Sequence, residues 1–294
     1  MQKLNDKNCC FIFGFGYTAQ YLTKKLLNLN FKVIGTTRDK SKYPEYINSG
    51  YQLISYDDAE VAHYLKEATH ILISVPPKLG IGDPVFSNFN KLIQANSHQL
   101  KWLGYLSSTS VYGDYQGEWV DESSACLAHD IQGKLRLDAE KTWMSFAMQY
   151  QLPLHVFRLA GIYGPQRNAL TRILAGKKAS IYKDEQFFSR IHVFDIVTVL
   201  LASMQCPKPY SIYNVADDEP AAAHIVDRYA CDLLKKPHLP LINYEKAILS
   251  PMEKHFYLNN RRVDNSKIKQ ELKIKLKYPT YREGLANLLS TTKD

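Results

Sequence analysis

The chain has 294 residues and a net charge of +8, with 45% hydrophobic and 22% charged residues. That apolar share builds a sizeable core for one large or two modest domains, and no apolar stretch reaches the ~18 residues of a membrane-spanning helix. The positive charge is scattered, with a mild concentration after Arg261, and no nucleic-acid motif accompanies it. A basic face that favours anionic ligands is therefore expected, and neither nucleic acid nor a membrane is an expected partner.

The polar opening Met1–Asn8 leads straight into the apolar run Cys9-Cys10-Phe11-Ile12-Phe13 and is not expected to be a secretion signal. That run reads as a buried strand. It is followed by Gly14-Phe15-Gly16-Tyr17-Thr18-Ala19, a G-x-G-x-x-A form of the dinucleotide fingerprint. Gly14 supplies the sharp turn, Gly16 lets the backbone approach a pyrophosphate, and Ala19 lets the next helix pack close to the strand. The helix N-terminus offers N–H groups and the positive end of its dipole to the phosphates. Tyr21, Leu22, Leu26 and Leu29 share one face of that helix, Asn30 ends it, and Phe31–Thr37 reads as the second strand. An NAD site usually carries Asp or Glu at the end of that strand, but here no acid precedes Asp39. Arg38 stands in its place, where its planar fork meets a 2′-phosphate. NADP is the expected cofactor, with NAD as the alternative.

Further strands are predicted at Tyr51–Ser55, His70–Val75, Trp102–Ser107, Leu154–Leu159 and Ser211–Val215. Helices are predicted at Val61–Glu67, Val85–His98 and Gly133–Tyr150, the last with Leu135, Ala139, Trp143, Phe146 and Tyr150 on its inner face. Lys267–Lys277 reads as a helix followed by a strand. The alternation predicts an α/β fold, a Rossmann-type doubly wound parallel sheet with a small C-terminal substrate lobe. Residues 1–165 are read as the NADP-binding domain. Residues 166–294 are read mainly as the substrate lobe, with strands near 190–216 returning to the sheet. Cofactor contacts are expected from Gly14, Phe15, Gly16, Tyr17 and Thr18 in the turn, and from Thr37 and Arg38 after the second strand. Asp57 after the third strand and Ser74 and Val75 at the end of the fourth complete the set. The five cysteines, at 9, 10, 126, 206 and 231, show no C-x-x-C spacing. They read as reduced thiols of a cytoplasmic protein, and no metal site is expected.

Four later segments stand out: Leu106-Ser107-Ser108-Thr109-Ser110-Val111-Tyr112-Gly113, Arg158–Pro165, Arg190–Ile196 and Tyr213–Pro220. Together with the glycine turn they resemble the extended short-chain dehydrogenase/reductase superfamily, the NAD-dependent epimerase/dehydratase group, over nearly the whole chain. The glycine signature resembles the atypical branch. The resemblance implies an oxidoreductase or epimerase acting on a small polar or sugar-like substrate. It also implies a Tyr-x-x-x-Lys pair on the long helix, with Glu four residues beyond the Lys. Glu140 fits that Glu, which puts Arg136 at the Lys position and Gln132 at the Tyr position. Gln132 does not exchange a proton near neutral pH, and Arg136 donates hydrogen bonds but is no base. Ser108, three residues before Val111, takes the place of the superfamily's active Ser or Thr. Ser108, Arg136 and Gln132 are thus the candidate catalytic residues. Thr109 and Ser110 stand where sugar dehydratases of the group have Asp-Glu, which argues against dehydration.

Tyr112 and Tyr163 are candidates for a relocated acid. His192 reads as structural and Asp195 as a helix N-cap; Arg167, Arg261 and Arg262 read by default as solvated charges, with a grip on an anionic substrate as the alternative. Two functions remain open: an enzyme with a small-molecule substrate, or a nucleotide-sensing or scaffold protein that binds NADP without turnover. A homodimer is the assembly held open.

Overall fold

The computed structural model describes residues 8–43, 50–56, 60–206 and 208–291. The chain opens with β1 (Cys9–Phe13), α1 (Tyr17–Asn28), β2 (Lys32–Thr37), β3 (Gln52–Ser55), α2 (Val61–Leu65), β4 (His70–Ile73), α3 (Pro84–Ala95) and β5 (Trp102–Ser108). Next come β6 (Trp119–Val120), α4 (Ile131–Gln149), β7 (Leu154–Leu159), β8 (Gly161–Tyr163), α5 (Ala169–Leu174) and β9 (Ser180–Tyr182). They are followed by β10 (Arg190–His192), α6 (Val193–Gln205), β11 (Ser211–Val215), α7 (Ala223–Leu233) and β12 (Leu241–Asn243). The last are α8 (Pro251–Leu258), β13 (Arg262–Val263), α9 (Ser266–Glu271) and α10 (Tyr281–Thr291).

Seven strands form one sheet in the order β3-β2-β1-β4-β5-β7-β11, and β1 pairs in parallel with both β2 and β4. The pairs β2–β3 and β4–β5 are parallel too. The fold is therefore α/β and Rossmann-type, as expected. Every residue of β1, β4 and β7 is buried, which is the pattern of parallel strands covered on both faces. The strand order reverses between β1 and β4. At such a point the connections leave toward opposite faces, and a crevice opens at the carboxyl edge of the sheet.

Two compact units make up the chain, and it passes between them several times. The first runs to Ser107 and adds Lys134–Arg158 and Leu200–Tyr213; the second holds Ser108–Gly133, Leu159–Val199 and the chain from Asn214 on. In the core of the first, Phe11, Phe13, Ile71, Ile73, Leu103 and Tyr105 of the sheet meet Trp143 and Phe146 of α4. Glu140 clamps this helix. Its carboxylate accepts from Arg158 of β7 at 2.8–3.2 Å and from the Ser107 hydroxyl of β5, and both partners of the ion pair are buried. The second unit has its own core around Tyr163, Leu170, Ile173, Val226, Ala230, Tyr281 and Leu285.

Three sequence expectations need correction. The helix read as Val85–His98 ends at Ala95, because the Asn96 side chain turns inward to donate to the carbonyls of Leu65 and Ala68 at 2.9 and 2.8 Å. Among the described residues no strand follows α9. Asp195 is not an N-cap: it lies in the first turn of α6, and its carboxylate accepts from the amides of Lys277 and Tyr278 at 2.7 and 3.0 Å. The amides that a strand would commit to a ladder are thus already bonded.

Candidate functional site

The turn after β1 is built around Gly14. Its φ of +88° lies in the region that glycine occupies freely, and a Cβ there would come within 2.9 Å of Val75 Cγ2 and 3.2 Å of the Val75 amide. The turn thus presses directly on the end of β4. Thr36 at the end of β2 anchors it from the other side. The Gly14 amide donates to Thr36 Oγ1 at 2.9 Å and the Phe15 amide to the Thr36 carbonyl at 2.8 Å. The Phe15 ring is buried, stacked on Tyr51 at 5.1 Å over Gly35, whose missing side chain leaves it room.

Gly16 is different. It is exposed, and a Cβ there meets nothing within 4 Å. It is also the N-cap of α1, a helix with no side-chain cap and no acid in its first turn. By contrast, α3 and α5 are capped by the side chains of Asp83 and Asn168. An uncapped helix start beside open space suits an oxyanion ligand.

These elements wall a cleft of about 270 Å³ at the switch point. Gly14, Phe15, Gly16, Thr37, Arg38, Ser74 and Val75, all expected from sequence, line it together. Tyr17 and Thr18 do not belong to its wall, and Asp57 lies outside the described residues. Tyr43, Tyr56 and Lys78 line the cleft as well and were missed by sequence reasoning. Tyr56 follows β3 directly, and Tyr43 and Lys78 lie in the loops several residues beyond β2 and β4, where neither periodicity nor a motif marks them. Among the described residues the wall carries the cations Arg38 and Lys78 and no carboxylate. The glycine cradle, the uncapped helix and the cationic wall fit a dinucleotide.

The candidate catalytic residues are placed as follows. Ser108 ends β5 and is half-buried. Its Oγ accepts from the Ser110 amide at 3.1 Å, and among the described residues its own proton has no acceptor. Gln132 is exposed on the first turn of α4. Ser108 and Gln132 belong to the second unit and Arg136 to the first. Arg136 donates to the Leu106 carbonyl at 2.8 Å. It also lies beside the hydroxyl of Tyr105, whose pKa burial raises far above the ordinary phenol value, with Arg136 offsetting part of the rise.

The two tyrosines considered as relocated acids are both buried. Tyr112 donates to Asn214 Oδ1 at 2.7 Å, and Tyr163 to the Thr280 carbonyl at 3.3 Å. Burial also raises the Tyr163 pKa well beyond its usual range. Arg261 and Arg262 are not solvated charges. They donate to the carbonyls of Gly113 and Gly117 at 2.7 and 2.6 Å, and Arg262 stacks on Phe187 and Trp119. Cys9, Cys10 and Cys231 are buried, and no disulfide is assigned among the described residues. Among the described residues no His, Cys, Asp or Glu cluster suits a metal, and no helix is long and apolar enough to cross a membrane.

The parallel sheet order and the glycine turn at its switch point define a Rossmann-type dinucleotide fold, the fold of NAD-dependent sugar dehydratases and epimerases of known structure. The dTDP-glucose 4,6-dehydratase of Bacillus anthracis, in complex with NAD, superposes with a TM-score of 0.78 over 97% of this chain and 96% of its own, at 17% identity. A functionally unknown conserved protein from Silicibacter pomeroyi is 42% identical, with a TM-score of 0.90 over 98% of this chain and all of its own. The chain belongs to the same family as that protein. It is also similar to YeeZ of Escherichia coli K12, at 28% identity over 217 residues, 69% of this chain and 76% of YeeZ. No protein-family profile matches it.

Proposed function

We propose that the cleft of the first unit binds a nicotinamide dinucleotide, NADP in preference to NAD, and that the protein is an oxidoreductase or epimerase of small polar or sugar-like molecules. One observation carries this reading: the open Gly16 turn and the Arg38 guanidinium line the same cleft, with no carboxylate in its described wall. The pyrophosphate meets Gly16 and the α1 N-terminus. The Arg38 fork takes the 2′-phosphate through bidentate charge-assisted bonds. The NAD complex of the Bacillus anthracis dehydratase supports a dinucleotide on this fold. When bound, the dinucleotide supplies hydride chemistry. For the chain's own part, Ser108 donates its unengaged proton as a hydrogen bond to the reacting oxygen. Arg136 adds positive charge but no base, and Gln132 adds hydrogen bonding without proton exchange. The substrate is a small molecule, the setting is cytoplasmic, and a homodimer is the assembly to test by sedimentation.

A second reading, an NADP-binding sensor or scaffold without turnover, is favoured by Gln132 at the acid's position and by the burial of Tyr112 and Tyr163. Calorimetric titration with NADPH and NADH, followed by NADPH absorbance across a panel of carbonyl compounds, separates the readings. Tighter binding of NADH overturns the preference, and binding of neither overturns the site. Binding with no turnover across the panel moves the assignment to the sensor. Where turnover is found, Ser108→Ala lowers it strongly and leaves NADPH affinity unchanged.

A further inference from the structure

The loop after β2 runs from Thr37 through Arg38, Asp39 and the 3-10 turn Lys40–Lys42 to Tyr43. Its first bonds are internal. Thr37 Oγ1 accepts from the Asp39 amide at 3.2 Å, and Asp39 Oδ1 accepts from the Ser41 amide and hydroxyl at 3.0 and 2.6 Å. Those bonds shape the loop without tying it to the glycine turn. Tyr43 supplies the tie. Its hydroxyl donates to the Phe15 carbonyl at 2.7 Å, and its ring stands edge-on to the Phe15 ring at 5.4 Å. Phe15 sits between the two fingerprint glycines and is a firm anchor, since its own ring is stacked on Tyr51 in the space above Gly35. The glycine turn has anchors of its own in the two bonds to Thr36. Loss of the Tyr43 bond therefore removes this tie between the Arg38 loop and the turn and leaves the turn's own anchors in place.

We propose that Tyr43 is a specificity-positioning residue: its bond to the Phe15 carbonyl holds the Arg38 loop against the glycine turn, so that the guanidinium meets a 2′-phosphate on the adenosine ribose. The inference rests on the dinucleotide reading above and adds the residue through which Arg38 acts. Tyr43 lines the same cleft as Arg38. A long cationic side chain on a loose loop loses rotamer freedom when it binds, and a loop held in advance lowers that cost. The effect falls on ligands that carry the 2′-phosphate and spares those that lack it.

The test is calorimetric titration of NADPH, NADH and 2′,5′-ADP into the wild type, Tyr43→Phe, Arg38→Ala and the double variant, with a melting temperature for each. Tyr43→Phe keeps the ring and removes one neutral hydrogen bond, so NADPH and 2′,5′-ADP weaken about five-fold while NADH changes less than about two-fold. In the Arg38→Ala background the same change moves NADPH less than about two-fold, because no fork is left to position. Equal weakening of NADPH and NADH, or additive effects in the double variant, overturns the positioning role and leaves the dinucleotide reading standing. A Tyr43→Phe protein that melts well below wild type assigns the bond to stability and also overturns it. A wild type that binds neither dinucleotide overturns both.

Discussion

Replacing Gly16 by Ala separates binding from folding. At φ −88° and ψ −169° the backbone is extended, a conformation alanine adopts without strain, and a Cβ there meets no atom within 4 Å. Alanine is a poorer N-cap than glycine, at a cost of about 0.5–1 kcal/mol. The stiffer unfolded chain stabilises the variant by about 0.4–1 kcal/mol. The two effects cancel to within about 0.5 kcal/mol, so the urea midpoint stays close to wild type. Binding has no such cancellation. The new methyl occupies the space through which a pyrophosphate approaches the turn and the start of α1. Loss of two charge-assisted bonds at about 1.5 kcal/mol each weakens NADPH on the order of 100-fold. Titration calorimetry beside urea unfolding reads both quantities. An NADPH affinity equal to wild type would refute the pyrophosphate placement, and a stability loss above about 1 kcal/mol would refute the open space over Gly16. Gly14→Ala is the opposite control: with φ at +88° and Val75 within 2.9 Å of the added Cβ, it lowers stability itself.

Arg38→Ala removes a charge-assisted pair worth about 1.5–3 kcal/mol, so NADPH weakens roughly 10- to 150-fold while NADH is unchanged; an equal effect on both in a titration would sink the 2′-phosphate assignment. Glu140→Gln leaves Arg158 buried without its countercharge and lowers unfolding stability by about 3–5 kcal/mol, and a urea midpoint shift worth less than about 1 kcal/mol would show that the clamp does not hold α4. His192 is buried among the rings of Tyr163, Phe194 and Tyr278, and burial pushes its pKa from 6.5 down to about 4. The unfolded chain takes up that proton at the higher pH, so the contribution is complete above about pH 6.5 and is lost as the pH falls toward 4. Against His192→Phe, the wild type loses about 2 kcal/mol between pH 7.5 and pH 5, and parallel pH profiles of the two proteins would contradict this.

The residues visible in the sequence were those whose role is local. Gly14 and Gly16 stand out because a positive φ and a close approach are properties of single residues, and Ala19 because a helix packs there with no exposure at all. The buried strands β1, β4 and β7 stand out because parallel pairing needs apolar side chains on both faces. Glu140 was legible as a marker of register. That it is a buried clamp on Arg158 and Ser107 was not, since those partners lie 18 and 33 residues away.

Tertiary structure decided the rest. Tyr43, Tyr56 and Lys78 reach the cleft only because parallel strands bring their carboxyl ends to one edge, so residues distant in the chain become one wall. The alternation of Lys273, Ile274, Lys275, Leu276 and Lys277 has the period of a strand, yet no strand forms. The Asp195 carboxylate, 82 residues before Lys277, takes the amides of Lys277 and Tyr278. Periodicity records which side chains face the core; which backbone groups are free to pair depends on what lies beside them once the chain has folded.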